Sequence, residues 1–292
     1  MIRPTAFVPL AIALMLQAVP AAFASGEQPF PDLVAARSPS LVTVKFVLKI
    51  KMGGAMSAMG DTEAEQETTG AVVSRDGLVL CSNTQLSGMV GMMRRMIGSM
   101  GDVTATPSDL KVLIGDDHEG VDAELIARDT ELDLAWIRIR EPRSEGYDHV
   151  DFSQAGVCAV GDTVRGVRRM AKYFDRVPVV SEARVAAVTK KPRTLLVPSA
   201  ALGTLGLPVY DGDGRVIGVS VLQVPDAEDT DGNPMAMLSN LSSMEDVMSG
   251  LILPADEVVK ATQRALESAA SRPADDPADG ESAESGSGEK TP

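Results

Sequence analysis

Gly70-Ala71-Val72-Val73-Ser74-Arg75-Asp76-Gly77-Leu78-Val79-Leu80 consists of two short apolar runs joined by a polar turn. Valine and leucine suit a pleated, half-buried backbone, and Asp76-Gly77 tolerates the positive φ of a tight hairpin. The stretch therefore predicts an antiparallel β-hairpin. The same pattern continues outward on both sides. Before it, a short amphipathic segment at 32–37 leads through Ser38-Pro39 into a β-rich run at 41–50. After it come runs at 110–114, 123–127 and 134–139, then a charged connection at 140–147. Further runs follow at 163–167, 177–188, 194–197, 207–210, 216–222 and 251–253, with a second hairpin turn at Asp211-Gly212-Asp213-Gly214. Many short strands separated by turn residues describe an all-β barrel or sandwich and exclude a βαβ fold.

The segment 255–268 reads as the one C-terminal helix, because Val258, Val259, Ala261, Ala265 and Leu266 recur near a period of 3.6. Residues 271–292 have almost nothing to bury, and six acids face only Arg272 and Lys290. This composition predicts a solvated acidic tail.

At the other end, Arg3, an apolar run at 7–16 and Ala22-Phe23-Ala24 read as a signal peptide cleaved after Ala24. No other stretch is long and apolar enough to cross a bilayer, so no span is expected after cleavage. The protein is expected outside the cytoplasm, in a bacterial periplasm or secreted. Its formal net charge of −14 argues against nucleic acid and anionic membrane surfaces, both of which select clustered Lys and Arg. Cys81 and Cys158 sit in an export context where a disulfide forms readily, but free buried thiols fit equally well.

Three motifs carry a resemblance to a known family. The opening hairpin resembles the first-barrel hairpin of HtrA/Deg-like proteases of the trypsin (chymotrypsin-like) fold. Asp129-Thr130-Glu131-Leu132-Asp133-Leu134-Ala135 resembles their aspartate strand. Gly203-Thr204-Leu205-Gly206-Leu207-Pro208-Val209-Tyr210, with Gly214 to Val219 after it, resembles their nucleophile segment G-N-S-G-G-P-L-V. The likeness spans roughly residues 30–269 and implies two six-stranded antiparallel β-barrels with a C-terminal helix. The implied division is a signal peptide at 1–24, a first barrel at 25–144 and a second at 145–254. A helix at 255–269 and a disordered acidic tail at 270–292 complete it. The peptide-binding PDZ module that the family usually carries is not expected here, because the residues after 270 read as tail.

The family's catalytic triad needs a nucleophile, a base and a group that orients the base. Here the resemblance puts Thr84 at the base position, since the family's T-N-N-H run reads Cys81-Ser82-Asn83-Thr84. It puts Leu205 at the nucleophile position and retains only Asp133. Gly203 is what remains of the oxyanion loop, while Leu207 replaces a family glycine. A threonine hydroxyl cannot accept a proton near neutral pH, and a leucine has no nucleophile. Neither His118 nor His149 matches the base position, and both read as surface residues. Thr204, Ser199 and Cys81 offer substitute nucleophiles but no base.

Twelve of the fifteen methionines fall in three segments that resemble insertions. Met52, Met56 and Met59 lie in the first, and Met89, Met92, Met93, Met96 and Met100 in the second. The third holds Met235, Met237, Met244 and Met248. The spacing of Met89, Met92, Met93 and Met96 suits one face of a short helix packed on the barrel. It also suits an adaptable surface for apolar peptide segments. A Cu(I) thioether site ranks last, because no Cys or His cluster accompanies the sulfurs, so neither metal nor cofactor is expected. Taken together, these readings describe an exported pseudoprotease that binds unfolded or apolar peptide segments or another envelope protein. The alternative is an HtrA-like endopeptidase of residual or unconventional activity. A homo-oligomer remains open.

Overall fold

The computed structural model describes residues 27–53, 60–88, 104–223 and 250–271. Twelve strands form two closed antiparallel barrels. The first runs in the spatial order β1-β2-β3-β6-β5-β4: β1 Leu41–Lys51, β2 Thr62–Val72, β3 Leu78–Ser82, β4 Thr104–Ile114, β5 Val121–Asp129 and β6 Leu134–Ile139. The second is built from β7 Thr163–Arg169, β8 Pro178–Val188, β9 Leu196–Pro198, β10 Pro208–Asp211, β11 Val216–Val221 and β12 Leu251–Pro254. Its order is β10-β11-β12-β9-β8-β7. Helix α1 (Phe30–Arg37) precedes the barrels and α2 (Ala255–Ser271) follows them.

Alternation along the strands sorts the apolar residues into separate cores. Val42, Val44, Phe46 and Leu48 of β1 point into the first barrel with Val79, Ala135 and Ile137. Val164, Val185, Val209, Ile217 and Ile252 fill the second. The opposite faces, including Leu41, Ala71, Leu80, Trp136, Val219 and Leu253, join a third cluster with Leu33 of α1 and Val258 of α2. This shared core binds the barrels together. Trp136, almost fully buried, donates from its indole Nε1 to Thr262 Oγ1 at 3.0 Å, fixing α2 on the first barrel.

The N-terminal arm is held on the second barrel. Arg165 is buried and donates to Glu182 (2.7 Å), Glu27 (2.9 Å), the Gln28 carbonyl (2.7 Å) and the Gly212 carbonyl (3.1 Å). A buried guanidinium is tolerated only with such partners around it.

Each of the apolar runs read as strands, from 41–50 to 251–253, lies within or beside a strand. The differences are in length. β2 begins at Thr62 and β4 at Thr104, each well before its apolar part. These polar extensions are strand because β1 pairs with both, from Ile50↔Thr62 to Leu41↔Ala71 and from Lys51↔Thr104 inward. Hydrogen bonding to a neighbour imposes the strand where hydropathy gave no signal. Cys81 and Cys158 are both free thiols. The expected signal peptide and acidic tail lie outside the described residues.

Candidate functional site

Asp133 follows the turn that closes β5, where the Leu132 N–H donates to Asp129 Oδ1 at 2.9 Å. Its φ of 57° is left-handed, a conformation aspartate adopts more readily than most residues. The carboxylate is fully buried. Three donors converge on it: the Thr84 N–H at 2.7 Å, the Ser82 hydroxyl at 3.0 Å and the Leu222 N–H at 3.0 Å. The first two come from the first barrel and the third from the end of β11 in the second. Burial pushes the Asp133 carboxyl above its ordinary range, against the opposing bonds from Leu222, Thr84 and Ser82.

Thr84 lies in the short helix over 83–88, begun where β3 ends. The Asn83 N–H donates to the Asp133 carbonyl at 3.1 Å, which holds this turn against the aspartate. The Thr84 hydroxyl is close enough to lower the Asp133 pKa but makes no well-formed hydrogen bond.

Leu205 lies on the turn before β10, half-buried, with its Cδ2 against Gly250. Its neighbour Gly206 has φ +78° and presses directly on the Ser82 amide. The Gly206 N–H donates to the Ser220 carbonyl at 2.7 Å, and the Leu207 N–H to the Thr204 carbonyl at 2.8 Å. The turn that would carry a nucleophile is thus seated on the residue that hydrogen-bonds Asp133. A Cβ at Gly206 has nowhere to go. Gly206→Ala is expected to cost at least about 2 kcal/mol through backbone strain and separation of the barrels. A lowered thermal midpoint would register this, and an unchanged one would contradict the packing.

The substitute groups are poorly placed for catalysis. Cys81 is fully buried, and burial with the nearby Asp133 charge pushes its thiol up to about 12, so it is no nucleophile. The Cys158 thiol is also pushed up, to about 11, by partial burial and by Asp211 and Asp162. Thr204 is buried against Gly166, with no hydrogen-bond partner for its hydroxyl among the described residues. Ser199 is exposed, and its hydroxyl accepts from the Arg184 N–H at 3.1 Å. His118 and His149 are both exposed, and His149 Nδ1 lies 3.1 Å from the Tyr147 carbonyl. Gly203, exposed with φ +64°, retains the left-handed turn of the loop. Met89, Met92, Met93, Met96, Met100, Met235 and Met237 lie outside the described residues. Among the described residues no group of three or more His, Cys, Asp or Glu is arranged to hold a metal. What sequence reasoning missed are the Ser82 hydroxyl and the Leu222 amide as donors to Asp133, and nothing marks the Leu222 amide 89 positions away.

Two closed six-stranded barrels, with a buried aspartate and the Gly203–Pro208 turn at their junction, define a trypsin-like fold. The family model described as a trypsin-like peptidase domain matches residues 68–219, just over half of the 292-residue chain. The chain belongs to that family. Among solved structures it is similar to the HtrA-type protease AlgW, a serine-to-alanine variant solved with a decapeptide. That match has a TM-score of 0.54 and 14% identity over 82% of this chain and 67% of the other. At that identity the likeness establishes an HtrA-like trypsin fold and nothing finer. Comparison with curated proteins found no match.

Proposed function

We propose that this chain is a non-catalytic trypsin-fold protein that binds peptide segments or a partner protein. The observation that carries the reading is that Thr84, whose N–H donates to Asp133, offers no imidazole, while Leu205, beside the Gly206 turn seated on Ser82, offers no nucleophile. The buried carboxylate has an amide and two further donors, but no imidazole to orient. Without a base, no hydroxyl in the junction is activated for attack on a carbonyl.

Export belongs to the same proposal. The signal-like residues 1–24 put the mature chain in an envelope compartment, where its partners are unfolded or apolar segments or another envelope protein. Two of the Met-rich segments support this. The described chain enters one at Gly88, four residues beyond Thr84, and the other just after Gln223, next to Leu222. Tyr173 and Phe174, 88% and 52% exposed in an edge-to-face pair, add apolar surface on the β7–β8 connection.

A serine-reactive fluorophosphonate tests the reading. The purified chain is expected to remain unlabelled under conditions that label a triad protease to completion. Stoichiometric labelling would overturn it, and the modified residue would then name the nucleophile.

A further inference from the structure

The three-stranded ribbon β2-β1-β4 extends beyond the first barrel and has two outer edges. Both are open among the described residues. β2 pairs with β3 only at Gly70, Ala71 and Val72, and β4 pairs with β5 only at Lys111 and Val112. Open edges template further strands, and folded proteins blunt them with proline, bulges or charge. The β4 edge is blunted in two ways. Pro107 lacks an N–H, and the register with β1 breaks between Lys45 and Val47 beside Asp109, whose φ is 51°.

The β2 edge has neither device. Its register with β1 is unbroken over ten pairs, and residues 62–67 are all exposed. In an antiparallel pair every second residue turns its N–H and C=O away from its partner, so a regular row of donors and acceptors faces outward here. Only charge guards it. Glu63, Glu65 and Glu67 occupy one face, with Thr62, Ala64 and Gln66 on the other.

We infer that residues 62–67 of β2 form a docking edge for an extended segment carrying Lys or Arg at every second position and uncharged residues between. The acidic row excludes a second copy of this chain, since pairing β2 with itself sets glutamate beside glutamate. Acidic strands are refused for the same reason. Admission by cross-strand charge and refusal by like charge is how an edge becomes selective. β1 already uses this pairing from the other side. Lys45 lies 3.1 Å from Glu65, and Lys49 lies 3.8 Å from Glu63. Arg176, reaching over from the second barrel, donates to both carboxylate oxygens of Glu67 at 3.1 and 3.0 Å. A docked cationic strand continues the alternation of Lys and Glu by one more row. This goes beyond the binding reading above: it names a second class of partner and a surface away from the Asp133 junction.

The test is amide hydrogen exchange on the full mature chain, with and without a synthetic peptide alternating Lys and Thr. A peptide of the same composition with its lysines in one block is the control. The alternating peptide is expected to slow exchange of the outward-facing amides among residues 62–67 at least tenfold, and the block peptide to bind at least tenfold more weakly. Glu63→Lys with Glu65→Lys is expected to abolish the protection. Should that variant fold poorly, Glu63→Gln with Glu65→Gln is expected to weaken it. Equal binding of both peptides, or protection confined to other residues, would overturn the inference. So would slow exchange, in the free chain, of the amides of residues 62–67 that face away from β1, because a second copy or another segment of the chain would then cover the edge. None of these outcomes bears on fluorophosphonate labelling, so the two proposals fail separately.

Discussion

Replacing Asp133 with alanine is expected to lower the stability of the fold by about 3–5 kcal/mol, a large part of the about 5–15 kcal/mol available to most domains. The carboxylate accepts from the Thr84 and Leu222 amides and the Ser82 hydroxyl, all buried with it. Alanine leaves these donors without a partner, and each unsatisfied buried group costs about 1–3 kcal/mol. The loss also cuts a link between the barrels, because Leu222 belongs to the second and Thr84 to the first. The urea midpoint measures this. A midpoint shifted by less than the equivalent of 1 kcal/mol would mean the aspartate is a dispensable remnant. Asp133 therefore has a structural role that does not depend on catalysis.

The same carboxylate gives stability a pH signature. Its folded pKa lies above the ordinary carboxylate value, so between the two values the folded chain holds a proton that the unfolded chain has released. The stabilising contribution is full below the unfolded value of about 4 and is lost as pH rises through the folded value. The margin of the wild-type chain over Asp133→Asn, which does not titrate, is expected to narrow as pH rises through that window. Urea midpoints of the two proteins at several pH values read it out.

Incubated with an unfolded protein substrate, the purified mature chain is expected to produce no fragments over many hours. In another serine protease, loss of the serine or histidine alone costs about a millionfold in turnover. Thr84 and Leu205, which the resemblance sets at those two positions, supply neither group, and Cys81 is buried with its thiol pKa pushed up. Leu205→Ser alone is expected to leave hydrolysis undetected, because Thr84 supplies no base for the new hydroxyl. Fragments that persist through more stringent purification would show an unrecognised catalytic group. Cys81, Thr204 and Ser199 would then be substituted in turn.

Much of this molecule was legible as a string. Each of the apolar runs, from 41–50 to 251–253, lies within or beside a strand, because alternation and turn residues act over a few neighbouring positions. The proposal of a lost triad rests on the same kind of reading, since the lack of an imidazole at Thr84 or a hydroxyl at Leu205 is a property of single residues. Other features lay beyond local reading. Residues 62–69 and 104–109 are polar, and they became strand only because β1 offers hydrogen bonds on both sides. The environment of Asp133 is assembled from positions 82, 84 and 222, and the Gly206 turn is seated on Ser82 from across the barrel junction. The sequence by itself determined that Thr84 carries no imidazole and Leu205 no hydroxyl, and where the apolar parts of the strands lie. Only the tertiary structure decided what the surviving aspartate holds and which strand edge stands open, because contacts between residues far apart in the chain leave no trace in local composition.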